Sequence, residues 1–386
     1  MRRIYLDNAA TSFPKPNVVH DTVDNYNRNL GTPVGRGAYR QAVEIQRTVD
    51  RCRQRAAELF GVESPERIIF TFNGTDSLNL ALQGLLEPGD HVVTTVIEHN
   101  SVLRPLRELQ DRIGIDVTHV AADESARVDP ADVRNAIRPE TKLVAVVQAS
   151  NVTGTIQPID VIGEIARKAG AIFLVDAAQS AGHVPIDVSN SPIDLLACPG
   201  HKGLLGPLGT GLLYIRPGLE TQLRSVRQGG TGSNSEDDRQ PETLPDKYES
   251  GNHNTPGLVG LEAALGWLHE RGLDSIRNHE RELTARLIDG LAPIAGLDVF
   301  GPCDVEQQLG VVSLSLPELE PQIFAALLDE NFGLQTRAGL HCAPGVHRCL
   351  GTFDQGGTVR LSVGPFTTAD DIDLAVTAVG ELAGSL

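Results

Sequence analysis

Lys202 stands in the turn Pro199-Gly200-His201-Lys202-Gly203, between the apolar runs 193–198 and 210–215. A lysine flanked by glycines and a histidine between two strands is badly placed to pack a core and well placed to present an amine. The preceding apolar run, 171–175, stops at Asp176. A carboxylate at the carboxyl end of a buried strand sits where open α/β sheets bind ligands. Together the two residues suggest a pyridoxal phosphate (PLP) site. Lys202 would form the Schiff base, and Asp176 would keep the pyridine nitrogen protonated so that the ring withdraws electrons. Taken singly, each also reads as ordinary, a surface lysine and a strand-end aspartate. Lysine is scarce, however, confined to Lys15, Lys142, Lys168, Lys202 and Lys247, so its presence in this turn is informative.

Other polar groups follow predicted strands in the same way. Asn73-Gly74-Thr75-Asp76-Ser77 opens a helix after the run 67–72. Helix N-termini bind anions, and glycine lets a phosphate approach the backbone; the same residues also suit plain N-capping by Thr75 or Ser77. His99, in Glu98-His99-Asn100 beyond the strand 91–95, is positioned either to lie against a flat ring or to face solvent. Asn151 follows the strand 142–148, and Gln179 follows Asp176. Four successive strand ends thus carry polar residues able to converge on one crevice.

A thiol stands in the loop Gln335-Thr336-Arg337-Ala338-Gly339-Leu340-His341-Cys342-Ala343-Pro344. Arg337, His341 and His347 are positive neighbours that would lower the Cys342 pKa and raise its thiolate fraction. Cys342 also reads as an inert structural cysteine. A metal site built from His341, Cys342, His347 and Cys349 fits no common zinc spacing, so no metal is expected. Cys349 is either an ordinary cysteine or a resolving thiol. Arg360, inside the β run 358–363, needs a bidentate carboxylate partner, from a substrate or from an interdomain ion pair.

These groups require a scaffold of alternating strands and helices. Apolar residues from Ala42 to Leu59 recur at helical spacing, and from residue 67 the pattern alternates strand and helix up to the central stretch. That is the βαβ rhythm of a mostly parallel sheet covered on both faces. The polar stretch 229–246 reads as a long loop, the kind that is commonly functional in a compact chain. Strands 310–316 and 358–363, with helices 322–331 and 369–386, read as a separate α+β unit. The expected division is an N-terminal segment 1–15 packing with the small domain, a large domain 16–257 and a C-terminal domain 258–386. With 386 residues and 40% hydrophobic content, the chain has ample core. A net charge of −17 argues against nucleic acid and anionic membrane surfaces as partners. Without an apolar run of membrane length, and with five dispersed cysteines, a cytoplasmic location is expected.

Taken together, Leu6-Asp7-Asn8-Ala9-Ala10-Thr11, Gly200-His201-Lys202, Arg337-x-Gly339-x-His341-Cys342-Ala343 and Arg360 resemble the fold-type I, class V aminotransferase-like PLP enzymes. More narrowly, the chain resembles the group II cysteine desulfurase / selenocysteine lyase branch. That resemblance implies a mostly parallel seven-stranded sheet sandwiched by helices, a smaller C-terminal α+β domain and a homodimer. It implies PLP held on Lys202, with Asp176 on the pyridine nitrogen, Gln179 on the ring hydroxyl and His99 stacked on the ring. Gly74, Thr75 and His201 would hold the phosphate, joined by Asn252 reaching the partner subunit. Asn151 would lie near ring and substrate. Arg360, with Arg337 nearby, would bind the substrate carboxylate. Cys342 would take the sulfur of L-cysteine as a persulfide, destined for an acceptor protein, and release alanine. L-Selenocysteine is the alternative substrate, and a non-catalytic sulfur-relay partner the alternative class. Two positions depart from the family pattern: Pro199 stands where a hydroxyl residue is usual, and Asn252 where threonine is.

Overall fold

The computed structural model describes residues 2–35, 37–233 and 236–385; Asn234 and Ser235, in the polar stretch 229–246, lie outside them. The chain opens with strand β1 (Ile4–Tyr5) and helices α1 (Asn17–Asn25) and α2 (Arg40–Leu59). Strand and helix then alternate through β2 (Ile68–Thr71), α3 (Gly74–Leu85), β3 (His91–Thr95), α4 (Asn100–Ile113), β4 (Asp116–Val120), α5 (Pro130–Ala136), β5 (Thr141–Val147), α6 (Ile159–Lys168) and β6 (Ile172–Asp176). Two more strands follow without a helix between them, β7 (Leu195–Pro199) and β8 (Gly211–Ile215).

These strands form a seven-stranded sheet in the order β2-β8-β7-β6-β5-β3-β4. Only β8 runs against its neighbours, antiparallel to both β2 and β7. Sequence alternation explains the burial on both faces. Ile68, Phe70, Val93, Val144, Phe173 and Val175 point to one face, packed against α2 and α6. Ile69, Val92, Leu143, Ile172 and Leu174 point to the other, packed against α3 and α4. Strands apolar on both faces are what a helix-covered parallel sheet demands. Because β2, β3, β5, β6 and β7 run in the same direction, their carboxyl ends share one edge. That edge carries the site.

Helix α7 (Thr255–Arg271) packs on α1 and α2, and its Leu258, Leu261 and Leu265 belong to the large core. The following α8 (Leu273–Leu291) turns instead to a second core. There β9 (Asp298–Phe300), β10 (Val311–Ser315), β12 (Arg337–Gly339) and β13 (Thr358–Ser362) form an antiparallel sheet in the order β12-β13-β10-β9. Helices α9 (Pro321–Phe332) and α11 (Ala369–Ala383) cover it, while β11 (Leu334–Gln335) pairs in parallel with β1. We therefore propose that the small domain begins at Gly272, between α7 and α8, rather than at residue 258.

The expected loop 335–344 is not wholly irregular. Arg337–Gly339 is strand β12, paired with β13 so that Arg337 lies opposite Arg360, and the short helix α10 (Pro344–Cys349) follows the cysteine. No helix among the described residues is long and apolar enough to cross a membrane.

Candidate active site

One cavity at the carboxyl edge of the large sheet is lined by Gly74, Thr75, His99, Asn151, Asp176, Gln179, His201 and Lys202. Eight residues expected from different strand ends therefore meet. Asp176 closes β6 and is 3% exposed. Burial raises its carboxyl pKa, opposed by the Ala178 N–H, which donates to Oδ1 at 2.9 Å, and by Lys202. Lys202 sits one turn beyond β7, where burial, outweighing Asp176, lowers its pKa to about 8.

Gly74 and Thr75 form the first turn of α3, whose leading N–H groups have no acceptor within the helix. Asn73 caps that helix through its side chain. The capping role allowed to Thr75 or Ser77 thus falls to Asn73. Pro199 packs directly on this turn: a Cβ on Gly74 would lie 3.1 Å from its ring. Pro199 thus offers this turn a packing contact but no hydrogen-bond donor.

The Thr75 hydroxyl lies 2.7 Å from that of Ser101, and Ser101 Oγ lies 2.8 Å from His99 Nδ1. The Ser101 N–H also donates to His99 Nδ1, at 3.1 Å. A ring nitrogen that accepts an N–H carries no proton, so His99 is the Nε2–H tautomer. Burial, reinforced by Lys202 and Arg104, keeps the ring neutral with a pKa of about 4. Ser101 was absent from the sequence expectations, because a serine two residues after His99 in a helix start carries no signal of its own.

The N-terminal segment hydrogen-bonds two of the lining residues, His201 and Gln179. His201 Nδ1 lies 3.1 Å from Thr11 Oγ1, and its carbonyl accepts from the Ser12 N–H and from Lys15 Nζ, each at 3.1 Å. Gln179 Nε2 donates to the Ala9 carbonyl at 3.0 Å. Asp7 was also missed, yet it holds both arginines. It accepts from Arg360 Nη2 at 2.9 Å and from Arg337 Nε at 3.1 Å. The ion-pair alternative for Arg360 is thus realised within the chain. Arg360 is 2% exposed, its Nη1 donates to the Asn151 carbonyl at 2.9 Å, and its Nε is buried without a partner. An unpartnered buried guanidinium N–H is a standing site for one more acceptor.

Cys342 is exposed, in a left-handed turn with φ of +48° at His341 and +60° at Cys342. Its carbonyl accepts from the Asn100 N–H at 2.7 Å, and Asn151 Nδ2 donates to the His341 carbonyl at 2.6 Å. The cysteine turn is thereby tied to two lining elements of the cavity. The expectation that His341 and His347 would favour the thiolate fails. The left-handed turn rotates His341 into the core, where its Nε2 lies 3.2 Å from Thr358 Oγ1, and His347 Nδ1 lies 2.8 Å from Thr352 Oγ1. Burial drives the His341 pKa well below its ordinary value and takes that of His347 to about 4. Neutral rings bring no positive charge to a thiol. Among the described residues, no group of three or more His, Cys, Asp or Glu side chains is arranged to hold a metal.

Gly345 fixes the turn's far side, since a Cβ there would overlap the Val96 carbonyl. Gly345→Ala is expected to cost about 3 kcal/mol in urea unfolding and to speed alkylation of Cys342 by freeing its turn. Asn252 lies apart from the cavity. It is exposed and lines a separate cleft of about 780 Å³ with Arg53, Glu249 and Gly230.

The sequence model of the class-V aminotransferase family matches residues 4–375. The chain belongs to that family. A probable cysteine desulfurase of Methanothermobacter thermautotrophicus is 36% identical over 99% of this chain and 95% of its own length. A cysteine desulfurase of Haloferax volcanii is 32% identical over 97% of this chain and 88% of its own. The apo structure of a cysteine desulfurase from Thermococcus onnurineus NA1 superposes with a TM-score of 0.93 at 34% identity, over 100% of this chain and 95% of that one. The α/β architecture, with its large, mostly parallel sheet flanked by helices, is the fold-type I arrangement of this family.

Proposed function

We propose that this chain is a PLP-dependent cysteine desulfurase, converting L-cysteine and the Cys342 thiol to L-alanine and a Cys342 persulfide. The observation that carries this reading is the placement of an exposed thiol on a turn bonded to Asn151 and Asn100, beside the cavity holding Lys202 and Asp176. The residues fit PLP. A buried carboxylate closes the central strand, a lysine of lowered pKa faces it, and the start of α3 offers free N–H groups. PLP, when bound, supplies an electron sink that labilises bonds at the substrate's α- and β-carbons. Asp176 would hold the ring nitrogen's proton, Gln179 would meet the ring hydroxyl, and neutral His99 would cover the ring face. Gly74, Thr75 and His201 would meet the phosphate.

Arg360 has three N–H groups left over from Asp7 and Asn151, including the buried Nε, and these would receive the substrate carboxylate, with Arg337 adjacent in the sheet. Lys202, free as an amine, would carry the proton between the α-carbon and the product. The Cys342 sulfur would form the S–S bond as the substrate's C–S bond breaks, and the vacated β-carbon would take a proton to give alanine. Purified protein given PLP and L-cysteine should form alanine and, with a thiol reductant, sulfide in equal amounts, while L-selenocysteine assayed in parallel shows which substrate is preferred. Absence of alanine from both substrates would remove this reading.

A C2 homodimer is part of the proposal, with exposed Asn252 facing the partner's phosphate site. Sedimentation at working concentration should show the dimer, and a fully active monomer would refute it. A sulfur acceptor protein is the expected downstream partner.

A further inference from the structure

Beneath the cavity, the two loops that carry Asp176 and Lys202 press against each other at glycines. A Cβ on Gly182 would overlap the Gly203 carbonyl, and one on Gly203 would overlap the Ala181 carbonyl and lie 2.6 Å from His183 Nε2. Gly203 directly follows Lys202, so the His183 ring is the wall on which the lysine turn rests. The ring's other nitrogen, Nδ1, faces both carboxylate oxygens of Glu280, at 2.8 and 3.0 Å. Glu280 lies mid-way along α8 and is 1% exposed. A glutamate so buried needs a charged or hydrogen-bonding partner, and His183 supplies it across the domain boundary. Further along α8, Leu283, Leu287 and Leu291 share a core with Val359 and Leu361, the residues flanking Arg360. The pair therefore joins the unit that carries Arg360 to the turn that carries Lys202.

We propose that His183 and Glu280 are positioning residues, a charged strap by which α8 holds the lysine turn in register with Arg360; this rests on Lys202 being the cofactor lysine. The charged groups facing His183 are Glu280 and Arg277 from α8 and Lys202 from the lysine turn. Burial and the two cations oppose protonation of His183, and Glu280 outweighs them, raising its pKa above the ordinary value. The Glu280 carboxylate thus favours the imidazolium at His183, and positive charge gathered there against Gly203 disfavours a second positive charge at Lys202.

Glu280→Gln preserves the shape of the pair but lets the imidazole lose its proton. The test is a pH titration of the visible band near 420 nm, about where a lysine-bound PLP absorbs, in wild-type and Glu280→Gln holoenzyme. It is read with kcat and KM for L-cysteine and with PLP content per chain. The band's midpoint should move to higher pH, an acid dissociation constant lowered about threefold. The ratio kcat/KM should fall about tenfold at unchanged PLP content, and Glu280→Asp should recover part of both. A variant that only melts earlier, with midpoint and kinetics unmoved, overturns the strap. Should Glu280→Gln fail to fold, His183→Gln gives the same reading, a midpoint moved in the same direction or the proposal lost. Borohydride reduction and peptide mapping of the wild type separate the two layers of inference. An adduct away from Lys202 removes the cofactor-lysine reading and the strap with it, whereas an adduct on Lys202 with an unmoved midpoint removes the strap alone.

Discussion

Lys202→Ala should abolish turnover, by about ten-thousand-fold, the upper end of what a proton-transferring residue supplies, and should leave any PLP bound without a covalent link. The wild type, purified with cofactor, should be yellow, with a band near 420 nm, about the absorbance of PLP on a lysine. Borohydride should fix the cofactor to the peptide containing Lys202, and an adduct on Lys142 or Lys168 would sink the assignment. The lowered pKa adds a rate test. Burial takes Lys202 from the ordinary 10.5 to about 8, and only the neutral amine attacks an aldehyde. Loading of apo protein with PLP should accelerate as pH rises through about 8 and then level off. A rate still climbing toward pH 10.5 would show the amine to be an ordinary lysine.

Cys342→Ala should cut alanine formation from L-cysteine by about a hundredfold or more while sparing much of any activity on L-selenocysteine. An alkyl thiol leaves poorly and needs a nucleophile to take its sulfur, whereas a selenolate departs readily. Mass spectrometry after brief exposure to cysteine should show one added sulfur, about 32 Da, on the Cys342 peptide. Cys349→Ala should cost little, since burial raises that thiol's pKa and leaves less thiolate. A persulfide mapped to Cys349, or unchanged cysteine turnover in Cys342→Ala, would overturn the proposed chemistry.

The β-type runs and helical spacings of residues 67–176 were legible because each element carries its own apolar period, and the strand-end positions of Asp176, His99 and Asn151 followed from them. Pairing partners were not legible. Nothing local to the run 211–215 says that it reverses direction and inserts between β2 and β7. The histidines beside Cys342 were misjudged for a related reason. Proximity in sequence suggests charge near the thiol, but the left-handed turn at His341 and Cys342 turns the imidazole inward toward Thr358. Asp7 and Ser101 were invisible because their partners, Arg337 and Arg360 in one case and Thr75 in the other, are distant in sequence. Arg360 was read as needing a carboxylate, and the need was real; the chain itself supplies one.

The pairing of residues 4–9 with residues 333–362 has a consequence for biosynthesis. β1 pairs with β11, the Asn8 side chain donates to the Ser362 carbonyl, and Asp7 bonds Arg360. Residues 4–8 therefore wait, without these partners, until strand β13 has been synthesised. Contacts between residues so far apart in sequence form late, because closing so long a loop must precede any gain from them. The large sheet can condense around its own core while synthesis continues, but the ion pairs of Asp7 with Arg337 and Arg360 form only when β12 and β13 arrive. The arrangement of Arg337 and Arg360 is thus set late in folding, by contacts that join residues 4–8 to residues 334–362.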